Sequence, residues 1–317
     1  MKVISMLGGL GSQMFKYAFM LELKSLDDCY IDTIPYRLME MWNGYELERI
    51  FGIHERDISE YIEDKEIKQF KKKNINYKTA AKINMERMNK GKPILFIFRG
   101  YLYPQTTRKI LLWSTLAYNK FKRIIRRNNI EQDRYPFLYK TCLFSIYYDE
   151  FNHTSDMYIG RGKHKEYFKE IFTFPEFNNS KNAKCAEAMK RKESVALHIR
   201  RSDHMYDNQK LFDENYFKKS VSYIRERSCD PVFYIFSDET EWCRNNLEQL
   251  GLTREEVVFV DWNKGEDSFR DMQLMTYCKH NILAISSFSW WGYYLSIRKN
   301  KIVCAPNGYW LEVPTHF

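Results

Sequence analysis

Residues 194–203 read SVALHIRRSD. The β-branched and aliphatic residues over 194–199 predict a strand, and the polar residues after it predict a loop. The pattern recurs downstream. PVFYIF (231–236) is a compact apolar run ending in Ser237-Asp238. VVFV (257–260), ILAI (282–285, followed by Ser286-Ser287) and IVCA (302–305) continue the series. Helical patterns lie between these runs, over about 214–227, 240–250, 268–279 and 290–298. Short strands alternating with helices predict βαβ units, a parallel sheet and right-handed crossovers. The opening agrees: Lys2–Met6 reads as a strand and Gly8-Gly9-Leu10-Gly11 as a turn, and 12–23 carries the apolar stripe Met14, Phe15, Ala18, Phe19, Leu21. The expected fold class is α/β.

Composition bounds the rest. The chain has 317 residues, 44% hydrophobic and 16% aromatic, with Gly 13 and Pro 8, which excludes a disordered or collagen-like chain. Its length suits two domains or one large one. No apolar run approaches the roughly 20 residues of a membrane-spanning helix, the most apolar stretches being ones such as 93–98 and 281–287. Gly8-Gly9 interrupts the first strand before an apolar signal segment develops, so a cytoplasmic location is expected. The seven cysteines form no CxxC pair and predict reduced, mostly buried thiols. The net charge is +9. Much of it falls between 56 and 134, with clusters at Lys71-Lys72-Lys73 and 120–127 and the aromatics Phe96, Phe98, Tyr101, Tyr103, Trp113 and Phe121 nearby. This stretch reads as a basic, mostly helical insertion over about 55–150. Solvated helix faces or a surface for an acidic partner would both produce it.

Three groups of residues at strand ends carry chemistry. In HIRRSD, alternation puts His198 and Arg200 on one face, and Arg200-Arg201 forms a planar, permanently charged fork suited to phosphate. Asp203 could hold one guanidinium, although a surface ion-pair cluster would look the same. In SSFSWWG (286–292), hydroxyls and backbone N–H groups at a helix start make an anion site, whereas an N-cap serine followed by buried tryptophans is the plainer reading. In GGLGSQM (8–14), glycines allow close backbone approach. The GxGxxG spacing is not met, because Met14 stands three residues after Gly11. Walker A and DxD sequences are also missing. These residues point to a phosphate-bearing small ligand between two α/β halves.

GGLGSQMFKYAF (8–19), HIRRSD (198–203), FYIFSDETEWC (233–243) and DMQLMTYCKHNILAISSFSWWG (271–292) together resemble the bacterial α-1,2-fucosyltransferases of glycosyltransferase family 11. The resemblance implies a GT-B-like pair of Rossmann-type domains facing a cleft. An acceptor-side domain would occupy 1–190 and a GDP-fucose-binding domain 191–317. It implies inverting transfer of L-fucose from GDP-fucose to the 2-hydroxyl of a galactoside, which could be lipid-linked, with no cofactor and no metal. By motif position, His198 and Asp271 would contact guanine and ribose, and Arg200 the β-phosphate. Arg201 would support Arg200, and Asp203 would orient both arginines. Ser286, Ser287 and Phe288 would line the diphosphate and base. Gly9, Gly11, Ser12 and Asp238 complete the donor-binding set. Ser12, a shorter group with fewer hydrogen-bonding atoms, stands where the family usually has Asn. Arginines can stabilise the departing diphosphate where a DxD-bound ion would otherwise do so. Asp203, Asp207 and Asp238 are candidates for the general base.

Other classes compete. The charge of +9 and the Lys/Arg-rich 65–127 stretch would suit a nucleic-acid-binding or peripheral membrane module, but neither accounts for paired arginines and serines at strand ends. An NAD-type oxidoreductase lacks its glycine spacing here. A glycosyltransferase with another donor is a further alternative.

Overall fold

The computed structural model describes residues 2–24, 28–33, 36, 42–57, 95–98, 101–104, 147–148, 167–201, 212–307, 310 and 313–317. The chain divides into two compact units. One is Met1–Leu7, Phe19–Tyr45 and His54–Asn152; the other is Gly8–Ala18, Glu46–Ile53 and His153–Phe317.

The first unit holds a parallel three-stranded sheet in which β1 (Lys2–Ser5) lies between β2 (Cys29–Asp32) and β5 (Tyr147–Tyr148). Helix α1 (Leu10–Lys24) connects β1 to β2, and the division between units falls within it. Strands β3 (Leu95–Phe98) and β4 (Tyr101–Pro104) pair antiparallel. These residues lie inside the stretch expected to be mostly helical. Their sequences, LFIF and YLYP, are aromatic and aliphatic with strong strand preference, which corrects that expectation there. The clusters at 71–73 and 120–127 lie outside the described residues.

The second unit is built on one six-stranded, all-parallel sheet ordered β11-β10-β9-β6-β7-β8. Its elements run in chain order: α2 (Leu47–Phe51), α3 (Tyr167–Ile171), α4 (Ser180–Arg191), β6 (Ser194–Ile199), α5 (Glu214–Arg225), β7 (Val232–Ser237), α6 (Thr240–Asn245) and β8 (Val257–Val260). A 3-10 turn (Gly265–Ser268), α7 (Phe269–Tyr277), β9 (His280–Ile282), α8 (Ser287–Tyr294), β10 (Val303–Ala305) and β11 (Thr315–His316) follow. The α/β expectation holds, with helices on both faces of the sheet.

Central strand β6 shows why. All six of its residues are buried, as a parallel strand covered on both faces must be. Val195, Leu197 and Ile199 pack with Tyr216, Phe217, Val221 and Ile224 of α5. Ala196 points the other way, into a core with Ala186 and Met189 of α4 and Leu274 and Met275 of α7. That packing places α4 in the second unit, whereas a cut at 190/191 would separate it from β6.

Three elements start earlier than their apolar patterns suggest, the first being α1, at Leu10. β9 begins at His280, because Asn281 and Leu283 donate to the Ile302 and Cys304 carbonyls of the neighbouring segment. α8 begins at Ser287, because the Ser286 hydroxyl accepts the Phe288 N–H and caps the helix. Trp290 and Trp291 are fully buried and pack with Phe15 of α1 at ring distances of 4.9 and 5.0 Å. Four cysteines (Cys29, Cys243, Cys278, Cys304) are buried and all described ones are free thiols, as expected. Burial pushes the Cys243 thiol up to about 11 and Cys304 to about 12, which keeps both protonated and unreactive.

Candidate active site

The strand order selects an edge of the sheet. From β6 the chain winds outward through β7 and β8, then returns to the other side of β6 as β9 and continues to β10 and β11. The winding therefore reverses between β6 and β9. In parallel α/β sheets the ligand crevice lies outside the carboxyl ends of the strands at such a point. His198, Arg200 and Arg201 are at the end of β6, Ser286 and Ser287 follow β9, and Ser237-Asp238 close β7. Two of the expected groups, HIRRSD and SSFSWWG, thus arrive on one edge of one sheet, together with Ser237-Asp238.

The two arginines have different settings. Arg201 is drawn into the protein: Nη1 meets Glu239 Oε2 at 2.5 Å, and the guanidinium carbon lies 4.0 Å from the Trp242 ring and 5.3 Å from Phe212. Only 14% of its side chain is exposed, against 34% for Arg200. Arg200 pairs with Asp238, Nε to Oδ2 at 3.4 Å. The other oxygen of Asp238 accepts the Arg201 backbone N–H at 3.0 Å. Asp238 thus touches both arginines, the task expected of Asp203, which lies outside the described residues, as does Asp207. Glu239, Trp242 and Phe212 were not anticipated. The acidic run SDETE after β7 was the available signal for the first of them.

At the start of α8, Ser286 is the helix cap described above, and Ser289 Oγ donates to its carbonyl at 3.1 Å. Ser287 and Phe288 are half-buried, and the Phe288 ring lies 5.8 Å from that of His198, which is 7% exposed. The plainer reading of SSFSWWG is therefore realised: the serine caps the helix and the tryptophans fill the core, with the helix start at the carboxyl end of β9. The glycine turn packs here too. A Cβ on Gly11 would stand 2.7 Å from Phe288 N and 2.7 Å from Ser287 Oγ. Its carbonyl accepts Trp291 Nε1–H at 3.0 Å. The missing side chain at Gly11 lets α1 and α8 touch backbone to backbone. Gly8 has φ +133, open to glycine. Gly9 accepts the Ser12 and Gln13 N–H groups, and Gln13 bridges the Gly8 carbonyl and the Glu46 N–H.

Asp271, in the first turn of α7, has no hydrogen bond to the arginines among the described residues. Its Oδ1 accepts Asn263 Nδ2–H at 2.7 Å, and Asn263 pairs with Asn182. Burial pushes the Asp271 carboxyl up to about 7, against the lowering effect of the Asn263 hydrogen bond and of Lys264. Neither asparagine stands out in sequence, since they are 81 residues apart.

Among the described residues there is no group of three or more His, Cys, Asp or Glu able to hold a metal ion, and no helix long and apolar enough to cross a membrane.

Comparison with known proteins identifies the family. The model of Glycosyl transferase family 11 matches residues 63–312. It includes most of the basic stretch, over 63–150, and leaves out the glycine turn at 8–14. The chain is 36% identical over 155 residues to an α-1,2-colitosyltransferase of Escherichia coli, covering 47% of this chain and 52% of that protein. It is 29% identical over 107 residues to the galactoside 2-α-L-fucosyltransferase SEC1 of Bos taurus, covering 32% and 28%. The chain thus matches about half the length of the first relative and less of the second. A crystal structure of the NodZ α-1,6-fucosyltransferase soaked with GDP-fucose aligns with 93% of this chain and 92% of that one, at TM-score 0.47 and 11% identity. The family match runs through every strand-end group from HIRRSD to SSFSWWG, and the chain belongs to glycosyltransferase family 11.

Proposed function

We propose that this protein transfers L-fucose from GDP-fucose to the 2-hydroxyl of a galactose-type acceptor in a surface glycan, with inversion and without a metal. The observation that carries this reading is Arg200 after β6 and Ser286 after β9, on adjacent strands where the winding reverses, in a chain of this family.

In this reading Arg200 binds the β-phosphate and stabilises the charge that grows on GDP as the bond to the anomeric carbon breaks. Asp238 orients Arg200, and Arg201 anchors the loop through Glu239 and Trp242. Ser286, Ser287 and the α8 N-terminus lie along the diphosphate. His198, Phe288 and Asp271 meet the nucleoside, and Gly9, Gly11 and Ser12 shape the approach to the sugar. The acceptor oxygen forms the new bond to the anomeric carbon, and its proton passes to a base. The commitment of Asp238 to both arginines favours Asp203 or Asp207 for that role. Residues 191–317 would bind the donor, supported by α4 and the glycine turn, and the remainder of 1–190 would face the acceptor. The basic 65–127 stretch would hold the enzyme near an anionic surface, such as a membrane carrying a lipid-linked acceptor on its cytoplasmic side. No nucleic-acid partner is proposed.

Incubation with a panel of nucleotide sugars and galactosides, with and without EDTA, tests the reading. Transfer from GDP-fucose that persists in EDTA supports it. Transfer only from a UDP-sugar, or loss in EDTA restored by Mg²⁺, overturns it. The colitosyltransferase relative favours a second reading, transfer of colitose, and the activated form of that sugar belongs in the same panel.

A further inference from the structure

Asp271 ends a chain of hydrogen bonds whose direction is set at its far end. The Trp262 indole N–H, which can only donate, reaches Asn182 Oδ1 at 2.7 Å. That identifies the oxygen of the Asn182 amide, so its nitrogen must face Asn263, and Asn182 Nδ2 donates to Asn263 Oδ1 at 2.8 Å. Asn263 Nδ2 donates back to Asn182 Oδ1 at 3.2 Å and onward to Asp271 Oδ1 at 2.7 Å. Asn182 is fully buried and Asn263 is 6% exposed, so water does not readily replace either partner. Reversing the Asn263 amide would set its oxygen against the carboxylate and break the reciprocal pair. The indole thus orients Asn182, Asn182 orients Asn263, and Asn263 delivers one N–H to one oxygen of Asp271.

We infer that Asn182 and Asn263 are positioning residues for Asp271, holding Oδ1 so that Oδ2 is presented as the acceptor for hydroxyl or N–H donors on the nucleoside part of the donor substrate. Oδ2 has no hydrogen bond within the protein among the described residues. The inference rests on the donor-binding reading of Asp271 given above.

The surroundings make the amide chain matter. Burial disfavours the charged carboxylate, and Asp261 adds repulsion, while Lys264 and the Asn263 N–H favour it. From α4, Cys185 is coupled electrostatically to Asp271, and the Lys181 ammonium lies 4.0 Å from the Trp262 ring. Arg270 beside it turns to the Pro175 carbonyl and Gln273, and Asp261 is paired with Arg244. Of the groups named here, only Asn263 donates a hydrogen bond to the carboxylate.

The test compares wild type with Asn263→Leu, Asn182→Leu and Asp271→Asn. The Asp271 carboxyl is titrated by NMR in the free protein, and GDP affinity is measured by calorimetry between pH 7 and 9. In wild type, GDP should bind more tightly as pH rises through the Asp271 midpoint. In Asn263→Leu the midpoint should move up, GDP should weaken about tenfold at pH 7, and a clear part of the loss should persist at pH 9, where the carboxylate is charged but no longer held. Asn182→Leu should move the midpoint in the same direction by less. An unmoved carboxyl midpoint in Asn263→Leu overturns the inference, even if its melting temperature falls. A shifted midpoint with GDP affinity identical in wild type and Asp271→Asn at both pH values overturns the nucleoside role of Asp271 instead. If either leucine variant does not fold, serine at the same position, too short to reach its partner, serves in its place.

Discussion

The backbone N–H of Arg201 donates to Oδ1 of Asp238 at 3.0 Å, across 37 residues of sequence. The bond ties the loop after β6 to the end of β7, and it leaves Asp238 Oδ2 for Arg200. One carboxylate thereby sets the loop backbone and steadies the more exposed arginine.

Removing that carboxylate should separate its two tasks. Asp238→Ala should lose both contacts and weaken GDP binding by about 10- to 100-fold, as expected when a charged hydrogen-bond partner is deleted. Asp238→Asn keeps an acceptor for the Arg201 N–H and should fall between alanine and wild type. Calorimetry with GDP checks the order, and equal losses in both variants would show that the charge alone matters.

Arg200 and Arg201 should fail in different ways. Arg200→Lys keeps a charge but loses the planar fork, and transfer should drop on the order of 100-fold with little change in melting temperature. Arg201→Lys gives up stacking on Trp242 and the fitted contact to Glu239, so it should lower the melting temperature clearly more than Arg200→Lys. Initial rates and thermal melts on the same two proteins decide it.

Gly11→Ala should destabilise the fold by about 1–3 kcal/mol, the range of an overpacked contact. The added methyl would meet backbone atoms of Ser287 and Phe288, which cannot rotate away. Urea unfolding measures the cost, and a change near zero would mean that α1 and α8 can slide apart freely.

Acid should weaken the protein partly through His280. Its Nδ1 accepts the Ile302 N–H at 2.9 Å, so Nε2 carries the hydrogen and faces Glu193 at 3.0 Å. Burial holds the folded His280 below its ordinary 6.5, and hydrogen bonds from Lys279 and His280 hold Glu193 below 4.5. The unfolded chain therefore takes up these protons at higher pH than the folded one. The stability from neutral His280 is present above about pH 6.5 and is lost as pH falls below it, and the Glu193 contribution follows lower down. His280→Asn keeps an acceptor without the titration. It should be less stable than wild type at pH 7 and lose less between pH 7 and 5 in denaturant melts.

The alternation of strands and helices was legible in sequence because each β-strand of the large sheet is short, apolar and bounded by polar residues, a local property. The β6 boundaries, 194–199, and the β8 boundaries, 257–260, follow from composition alone. The residues at the strand ends were legible for the same reason: arginines and serines stand out after apolar runs. Helix α2 and strand β2 did not stand out, being five and four residues long with little pattern to read.

Pairing and partnership were decided in three dimensions. No local signal says that β9 returns to lie beside β6, yet that adjacency brings the Arg200 strand next to the Ser286 strand. The sequence marked Gly11 as a turn glycine, while the fold uses its bare Cα against α8, 276 residues away at Ser287. The assignment of Asp238 to both arginines, the enclosure of Arg201 by Trp242 and Phe212, and the orientation of Asn263 by Asn182 depend on contacts between segments distant in sequence. Side-chain type and spacing along a chain determine which local structure forms and which chemistry is on offer. Which groups meet is set by long-range packing of apolar faces, and that information is spread over the whole core rather than written at the residues that use it.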